Sequence, residues 1–300
     1  MKEVIKFRTE YQKGVLALIF LALVFASMGL FARYLATGFL LFQQVYLRML
    51  AAFIVGYVVF RKQISIGKFR KLPLREWLII LFRAVSYSLF GIILFTQAII
   101  IAKYSNVSFI GSLPMTAILG FILLREKLSF RKLALVLFAF VGVFLISVKE
   151  YSNILNWGKG EILTFISTVF FSLSYIARKW QSDLLNNEEL TTANFLVAFL
   201  VVFILSILKG DGLPISGWNW GLLLAVIGVG IFNISNVFLT NYGFQRVEVV
   251  LASNILTLES VFAVILGFLF YREIPLPKEL LGGLIITLSV IGTNRLAGGK

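Results

Sequence analysis

The segment Ala117-Ile-Leu-Gly-Phe-Ile-Leu-Leu-Arg-Glu126 indicates how the chain is organised, because a similar segment recurs at Val264-Ile-Leu-Gly-Phe-Leu-Phe-Tyr-Arg-Glu273. The two copies are 147 residues apart and share six of their ten residues. A second pair, Ser27-Met-Gly-Leu-Phe-Ala-Arg33 and Ser172-Leu-Ser-Tyr-Ile-Ala-Arg178, is 145 residues apart and keeps Ser, Ala and Arg in register. Because this offset is close to half of the 300-residue chain, the sequence predicts two related units, residues 1–148 and residues 149–300.

The composition indicates an integral membrane protein. Hydrophobic residues make up 59% of the chain and charged residues 14%, whereas soluble domains average roughly 45–50% and 25%. Unbroken apolar runs approach the ~20 residues that a helix needs to cross a bilayer, and they lack the alternation of a membrane β-barrel. An all-α membrane protein is therefore predicted, because a helix satisfies its own backbone hydrogen bonds in lipid.

The net charge of +14 does not predict a nucleic-acid partner, because most of the basic residues lie in short loops between apolar runs. In that position they set the membrane topology. The chain has no cysteine and no histidine, so we expect no metal site and no cofactor. The sequence also contains no recognisable catalytic constellation, and we expect that the protein is not an enzyme.

Ten transmembrane helices are predicted, arranged as two inverted five-helix repeats. With the N-terminus in the cytoplasm, 19 Lys and Arg residues lie on the cytoplasmic side and 7 on the outer side, as the positive-inside rule requires. Both termini are therefore expected in the cytoplasm, with the protein in the plasma (inner) membrane. Because five is an odd number, the two units must be inserted in opposite orientations, which suits alternating access around a midplane site. The predicted helices span residues 15–35, 41–60, 77–102, 105–124, 133–148, 160–177, 191–208, 218–242, 249–271 and 280–296.

These features resemble the EamA-like transporters of the drug/metabolite transporter superfamily. The residues that carry the likeness are Ala102-Lys-Tyr-Ser105, Ser112-Leu-Pro-Met-Thr116, Arg125-Glu-Lys-Leu128, Leu258-Glu-Ser-Val-Phe-Ala263 and Arg272-Glu273. The chain departs from the family pattern at both Arg-Glu turns, where arginine replaces a glycine, and at Ser260, which replaces a proline. The resemblance implies a ten-helix carrier, most often an exporter of amino acids or other metabolites, with a central cavity formed by helices 1, 3, 4, 6, 8 and 9.

Glu259 is the sharpest candidate for a functional residue. It lies about ten residues into the ninth predicted helix, roughly 15 Å deep at 1.5 Å per residue. An ionised carboxylate at that depth is costly and usually faces the interior of the bundle. Glu259 is expected to bind a substrate ammonium group or to take up a proton, and the structural alternative is a permanent pair with an arginine.

Arg48 and Arg83 are basic residues that lie several residues inside predicted helices, away from the helix ends. Arg48 can bind a substrate carboxylate or phosphate through two parallel hydrogen bonds, or it can extend toward the membrane interface. A structural role is favoured for Arg83, which matches an arginine common at the start of the third helix in the family.

Several polar residues can either line a cavity or hydrogen-bond one helix to another. Asn233, Asn236 and Thr240 share one face of the eighth helix, because their spacing is i, i+3 and i+7. The predicted substrate-binding set consists of Glu259, Arg48, Asn233, Asn236, Thr240, Asn254, Thr257, Tyr87, Gln97, Ser174 and Tyr175.

The sequence and the resemblance together predict a secondary transporter of small metabolites such as amino acids, working as an exporter, with a proton gradient as a candidate driver. A carrier of nucleotide sugars, phosphate esters or lipid precursors is the first alternative, and it would need further cationic groups in the cavity. A membrane scaffold or receptor without transport is the second, and it predicts a fixed ion pair at Glu259 and no cavity at the midplane. The expected partners are the lipid bilayer and a small-molecule substrate. One chain is sufficient because it contains both units, and a dimer is compatible with this organisation.

Overall fold

The computed structural model describes residues 2–102, 107, 110–111, 113–125, 129–147, 158–271 and 274–298. Within these ranges the chain forms helices joined by turns and contains no β-strand. A π-helical turn (Ser86–Ile93) joins the α-helices Leu74–Val85 and Leu94–Ile101, and a 3-10 helix (Ala177–Trp180) follows the α-helix Lys159–Ile176. The α-helices are α1 (Lys2–Leu35), α2 (Leu41–Phe60), α3 (Ile66–Arg70), α4 (Leu74–Val85), α5 (Leu94–Ile101), α6 (Met115–Leu124), α7 (Phe130–Ser147), α8 (Lys159–Ile176), α9 (Asn187–Leu208), α10 (Trp220–Arg246), α11 (Val249–Leu256), α12 (Leu258–Tyr271) and α13 (Pro277–Gly298).

Seven helical segments in the described part of the chain are long and apolar enough to cross a membrane. The helix Met115–Leu124 is apolar but shorter. The count of ten crossings therefore stays a prediction, and the all-helical character of the described residues is confirmed.

Helix boundaries follow local chemistry that the sequence carries. Helix α2 has the predicted bounds, Leu41–Phe60. Helix α9 begins four residues before the predicted start at residue 191, because Asn186 caps it. The Asn186 side chain accepts the Glu189 N–H at 2.7 Å, and the Glu189 carboxylate accepts the Asn186 N–H at 2.9 Å. This reciprocal capping box was readable in the sequence as Asn-x-x-Glu.

The predicted helix at residues 249–271 is helical over that range apart from a turn at Thr257, which divides it into α11 and α12. The Thr257 hydroxyl donates to the Asn254 carbonyl at 2.6 Å, and the Ser260 N–H donates to the Thr257 carbonyl at 3.2 Å. Both bonds span three residues, so they replace the four-residue ladder of an α-helix.

Several sequence predictions fall on residues that the structure does not describe. They are Lys103, Tyr104 and Ser105 of the first likeness segment, Ser112 of the second, and Glu126, Arg272 and Glu273 of the two Arg-Glu turns. Arg125 of the first turn is described, and it ends α6 in the left-handed conformation with φ 51°.

Helices of the two halves pack against each other throughout the bundle. Helix α1 lies along α10, and the π-helical turn with α5 lies along α8. Helix α2 packs against α9, and α7 packs against α13. The segments around the break complete the centre, since α11 packs against α6 and α12 packs against α1.

The interior of this bundle combines an apolar core with buried polar side chains, and large apolar side chains are exposed on its outside. Asn233 and Asn241 are fully buried, whereas Val59, Leu224 and Leu269 each expose 61–64% of their surface. This distribution suits a membrane protein, because lipid tails can contact the exposed apolar side chains and the interior provides hydrogen-bond partners for polar groups.

Helices α7 and α13 approach each other through two glycines. A Cβ atom built on Gly282 would lie 2.6 Å from the Gly142 carbonyl oxygen, and a Cβ atom built on Gly142 would lie 2.6 Å from the Gly282 carbonyl oxygen. A backbone carbonyl cannot rotate away as a side chain can. Close approach of small residues is a common way to join helices in membranes.

We expect Gly282→Ala to destabilise the protein by about 1–3 kcal/mol, as overpacked cores usually do. Gly283→Ala is the matched control, because the nearest atom to its added Cβ belongs to Val261 at 3.9 Å and alanine favours a helix by up to ~1 kcal/mol. Thermal unfolding in detergent, followed by tryptophan fluorescence, should give a lower Tm for Gly282→Ala alone. Equal Tm values for the two variants would contradict this packing.

Candidate functional site

A cavity of about 200 Å³ lies at the centre of the bundle. At ~10–15 Å³ for each enclosed water, this volume suits a small metabolite. Its wall combines charged, hydroxyl, amide and aromatic groups from both halves of the chain. The described lining residues are Phe25, Arg48, Tyr87, Ile92, Phe95, Thr96, Ile99, Gly111, Leu113, Pro114, Thr116, Thr168, Phe171, Ser172, Tyr175, Asn236, Ser253, Leu256, Thr257, Glu259 and Ser260.

Glu259 enters the cavity wall from the break between α11 and α12. It is the second residue of α12, and its side chain is exposed to the cavity. No ion pair or side-chain hydrogen bond of its carboxylate is found in the described part of the chain. Its carboxylate is therefore available to a cationic ligand or to a proton.

Arg48 on α2 contributes the positive charge of the cavity. Its side chain is only 4% exposed, and its Nε and Nη1 atoms have no hydrogen-bond partner among the described residues. Tyr87 is the neighbour that interacts with it electrostatically. An unpaired guanidinium is costly to bury, so this arrangement suits a site whose anionic partner arrives with a ligand.

Aromatic rings form a continuous part of the wall. Phe171 on α8 contacts Tyr87 edge-to-face at 5.6 Å between ring centroids and stacks with Tyr175 at 6.4 Å. Phe25 on α1 adds a ring 6.3 Å from Tyr175, and Phe95 adds one 6.2 Å from Phe171. These rings can contact apolar groups, and their faces can also attract a cation.

Hydroxyl groups, most of them on α8, form a part of the cavity wall that is polar but uncharged. Thr116 and Ser172 share a hydrogen bond of 2.8 Å between their hydroxyls. Ser172 donates to the Thr168 carbonyl, and Thr168 donates to the Thr164 carbonyl, each at 2.8 Å. These hydroxyls hydrogen-bond to one another and to the backbone, so they make this part of the cavity wall polar without adding a charge.

Arg83 is used in a different way from Arg48. Its Nε donates to the Ser174 carbonyl at 3.1 Å and its Nη1 to the Gln181 side chain at 2.6 Å, and its Nη2 donates to the Asn241 side chain. Asn241 in turn donates to the Thr191 hydroxyl at 3.0 Å. These bonds join α4, α8, α9 and α10, which agrees with the structural role favoured for Arg83.

The structure brings together six of the eleven predicted site residues on the cavity wall: Glu259, Arg48, Tyr87, Tyr175, Asn236 and Thr257. The other five lie elsewhere. Thr240 and Ser174 lie beside Arg83, and Asn254 donates hydrogen bonds to Ser289 and Thr293. Asn233 is fully buried, and no partner for its amide atoms is found among the described residues. Gln97 is half-buried on α5, away from the described cavity wall.

The sequence analysis missed the aromatic ring of Phe171 and the hydroxyls of Thr116, Thr168, Ser172 and Ser260. One signal was present, since Thr164, Thr168 and Ser172 recur every four residues and so share a helix face. The phenylalanines carried no signal, because 30 of them are spread over the chain.

The model of the EamA-like transporter family matches residues 12–148 and again residues 158–295. The uncharacterized transporter sll1164 of Synechocystis sp. is 24% identical over 250 residues, which cover 78% of this chain and 70% of the relative. One crystal structure is similar with a TM-score of 0.76 at 16% identity and covers 95% of this chain and 98% of its own, a likeness that shows the fold alone. The chain therefore belongs to the EamA-like transporter family and is a multi-pass membrane transporter.

Proposed function

We propose that this transporter carries small metabolites with both a cationic and an anionic group, amino acids being the leading class, by alternating access. The observation that carries the proposal is the central cavity, where Arg48 and Glu259 present opposite charges from different halves of the chain. A substrate carboxylate would bind the free N–H groups of Arg48, and its ammonium group would bind Glu259. The rings of Phe25, Phe171 and Tyr175 would contact the apolar part.

The energetics favour a ligand at Arg48. Hydrogen bonds to charged groups contribute about 1.5–3 kcal/mol each, more than neutral ones, and two parallel bonds to a carboxylate add geometric selectivity. Arg48 has two N–H-bearing atoms without a protein partner, whereas each nitrogen of Arg83 is already bonded.

Alternating access is supported by the relation between the two halves. The family model matches each half separately, and the packing pairs recur when the halves are exchanged, since α1 against α10 corresponds to α8 against α5. We propose that the chain forms ten crossings in two inverted repeats, so that each repeat can take the role of the other.

We propose export across the plasma (inner) membrane, with both termini in the cytoplasm. The distribution of Lys and Arg supports this orientation. Two ion pairs, Arg246 with Glu10 at 2.9 Å and Lys132 with Glu248, join elements at the proposed cytoplasmic end. The proton is the candidate driver, because a proton on Glu259 would neutralise the carboxylate that holds the substrate.

The alternatives receive less support from the site. Among the described lining residues Arg48 is the sole cation, which fits a carboxylate better than a phosphate ester or a nucleotide sugar. A scaffold without transport would hold Glu259 in a fixed ion pair, and the described residues provide no such pair.

The proposal is tested by counterflow in proteoliposomes. Vesicles are loaded with individual unlabelled amino acids and other metabolites, and uptake of the labelled compound is measured with and without an imposed pH gradient. Saturable exchange of a zwitterion would support the proposal, and acceleration by the gradient would support proton coupling. Exchange of phosphate esters alone, or no exchange across the panel, would contradict it.

Arg48→Met and Glu259→Gln are each expected to reduce transport of a zwitterionic substrate by at least about tenfold, because each removes one charged contact worth about 1.5–3 kcal/mol. The control is Glu188→Gln, which removes a carboxylate in the first turn of α9, away from the described cavity wall. Initial rates over a range of substrate concentrations, normalised to folded protein, check the prediction. Wild-type rates in Arg48→Met or Glu259→Gln would remove that residue from the binding site.

The two arginines should have opposite effects on stability. Arg48→Met is expected to leave Tm unchanged or raise it, since it removes a buried charge without partners. Arg83→Met should lower stability by roughly 3 kcal/mol or more, because it leaves the acceptors of Gln181 and Asn241 without donors. Thermal unfolding without substrate checks both variants, and a larger loss for Arg48→Met would reverse the assignment.

A further inference from the structure

A groove on the surface of the bundle lies apart from the central cavity and shares no lining residue with it in the described part of the chain. One wall of the groove is a face of α4, on which Leu74, Leu78 and Phe82 recur every four residues. These three side chains are exposed. The lining residues are Leu74, Arg75, Leu78, Ile79, Phe82 and Trp180. Because all of them except Arg75 are apolar or aromatic, the groove suits a hydrocarbon chain.

Arg75 is the charged residue of the groove. Its Nη2 atom donates to the Trp180 carbonyl at 3.1 Å, so the guanidinium extends from the first turn of α4 to the 3-10 helix. Its Nη1 atom lies 3.7 Å from Oε1 of Glu76, which is longer than a hydrogen bond. Because an arginine carries five N–H groups and the Arg75 side chain is 71% exposed, N–H groups remain for an anion.

The segment that leads into α4 is basic. Residues 61–75 contain no acidic residue, and their six basic residues are all exposed. Lys68 pairs with the buried Glu189 at 3.0 Å. Apart from Lys68 and Arg75, the basic residues of this segment have no ion pair with any described residue. They are Arg61, Lys62, Arg70 and Lys71. The apolar groove therefore borders an excess of positive charge, which is complementary to an anionic partner.

Two tryptophans indicate that the groove lies at a membrane surface. Trp180 packs against Phe82 with 6.1 Å between the ring centroids, and Trp77 packs against Phe69 at the same distance. Tryptophan is enriched where lipid headgroups meet the hydrocarbon core. At this level the apolar wall of α4 contacts acyl chains, and the basic segment lies among the headgroups.

We propose that the groove binds an anionic phospholipid, with the lipid phosphate on Arg75 and an acyl chain along Leu78 and Phe82. Arginine binds phosphate through two parallel hydrogen bonds, and Arg70 and Lys71 add positive charge near the headgroup. Basic pockets beside membrane helices hold anionic headgroups in this way. The lipid then bridges α4 of the first half and the 3-10 helix of the second half, so it stabilises the fold. This inference does not depend on which substrate the central cavity takes.

The test is thermal unfolding of the purified protein in a neutral detergent with added dioleoylphosphatidylglycerol or, at the same mole fraction, dioleoylphosphatidylcholine. Glycerol 3-phosphate in a third titration supplies the phosphate without acyl chains. The variants are Arg75→Gln, which removes the charge from the groove, and Leu78→Trp, which fills the groove and keeps every charge. The matched control is Arg61→Gln, because Arg61 belongs to the same basic segment but does not line the groove.

We expect phosphatidylglycerol to raise Tm by about 2–8 °C more than phosphatidylcholine does. This difference should be lost in Arg75→Gln, fall at least about twofold in Leu78→Trp and be retained in Arg61→Gln. Because the two lipids are compared within each variant, the lost bond between Arg75 and Trp180 does not affect the comparison.

Three results would overturn the proposal. Equal Tm values with the two lipids would show that the groove does not select an anionic headgroup. Equal losses in Arg61→Gln and Arg75→Gln would show diffuse attraction to the whole basic segment. A rise with glycerol 3-phosphate as large as the rise with phosphatidylglycerol would assign the site to a soluble phosphate compound.

Discussion

The structure depends on one constraint, that a polar group inside an apolar bundle must find a partner because no bulk water is present to provide one. Arg83 meets the constraint within the protein, since Ser174, Gln181 and Asn241 accept its hydrogen bonds. Arg48 does not, because its Nε and Nη1 atoms have no described partner. The same residue type thus joins helices in one place and lines the cavity with unpartnered N–H groups in another.

The constraint applies to the backbone as well. Breaking a membrane helix frees carbonyl groups, and irregular backbone is tolerated where it lines a cavity rather than lipid. The break at Thr257 lies on the cavity wall, beside Glu259. The three-residue hydrogen bonds of Thr257 and Ser260 keep the chain helical on both sides. A carboxylate, which alone would be costly at this depth, therefore lies where water and ligand can reach it.

Much of the fold could be predicted because its signals are local. Apolar runs placed the helices, and α2 has the predicted bounds. Glu259 and Arg48 stood out because charge is rare within such runs. The break at Thr257 and the hydroxyls of Thr116 and Ser172 were missed, since threonine and serine occur both in helix interiors and on cavity walls. Asn233 and Asn254 were predicted to line the cavity but lie away from its described wall. Helix periodicity predicts which residues share a face, but it does not predict which other helix that face contacts.

The family model matches each half of the chain, but the halves do not share the charged residues that line the cavity. At the 147-residue offset of the motif that follows it, Glu259 corresponds to Ser112, and at the 145-residue offset of the pair that precedes it, Arg48 corresponds to Ala193. Ala193 is buried in the apolar core, 6% exposed. The carboxylate of Glu259 and the guanidinium of Arg48 each lack a charged counterpart in the other half. The charge of the cavity is therefore asymmetric, which it would not be if the two halves were identical. A substrate with two unlike charges would therefore bind in a single orientation, and it would keep that orientation relative to Arg48 and Glu259 whichever side of the membrane the cavity faced.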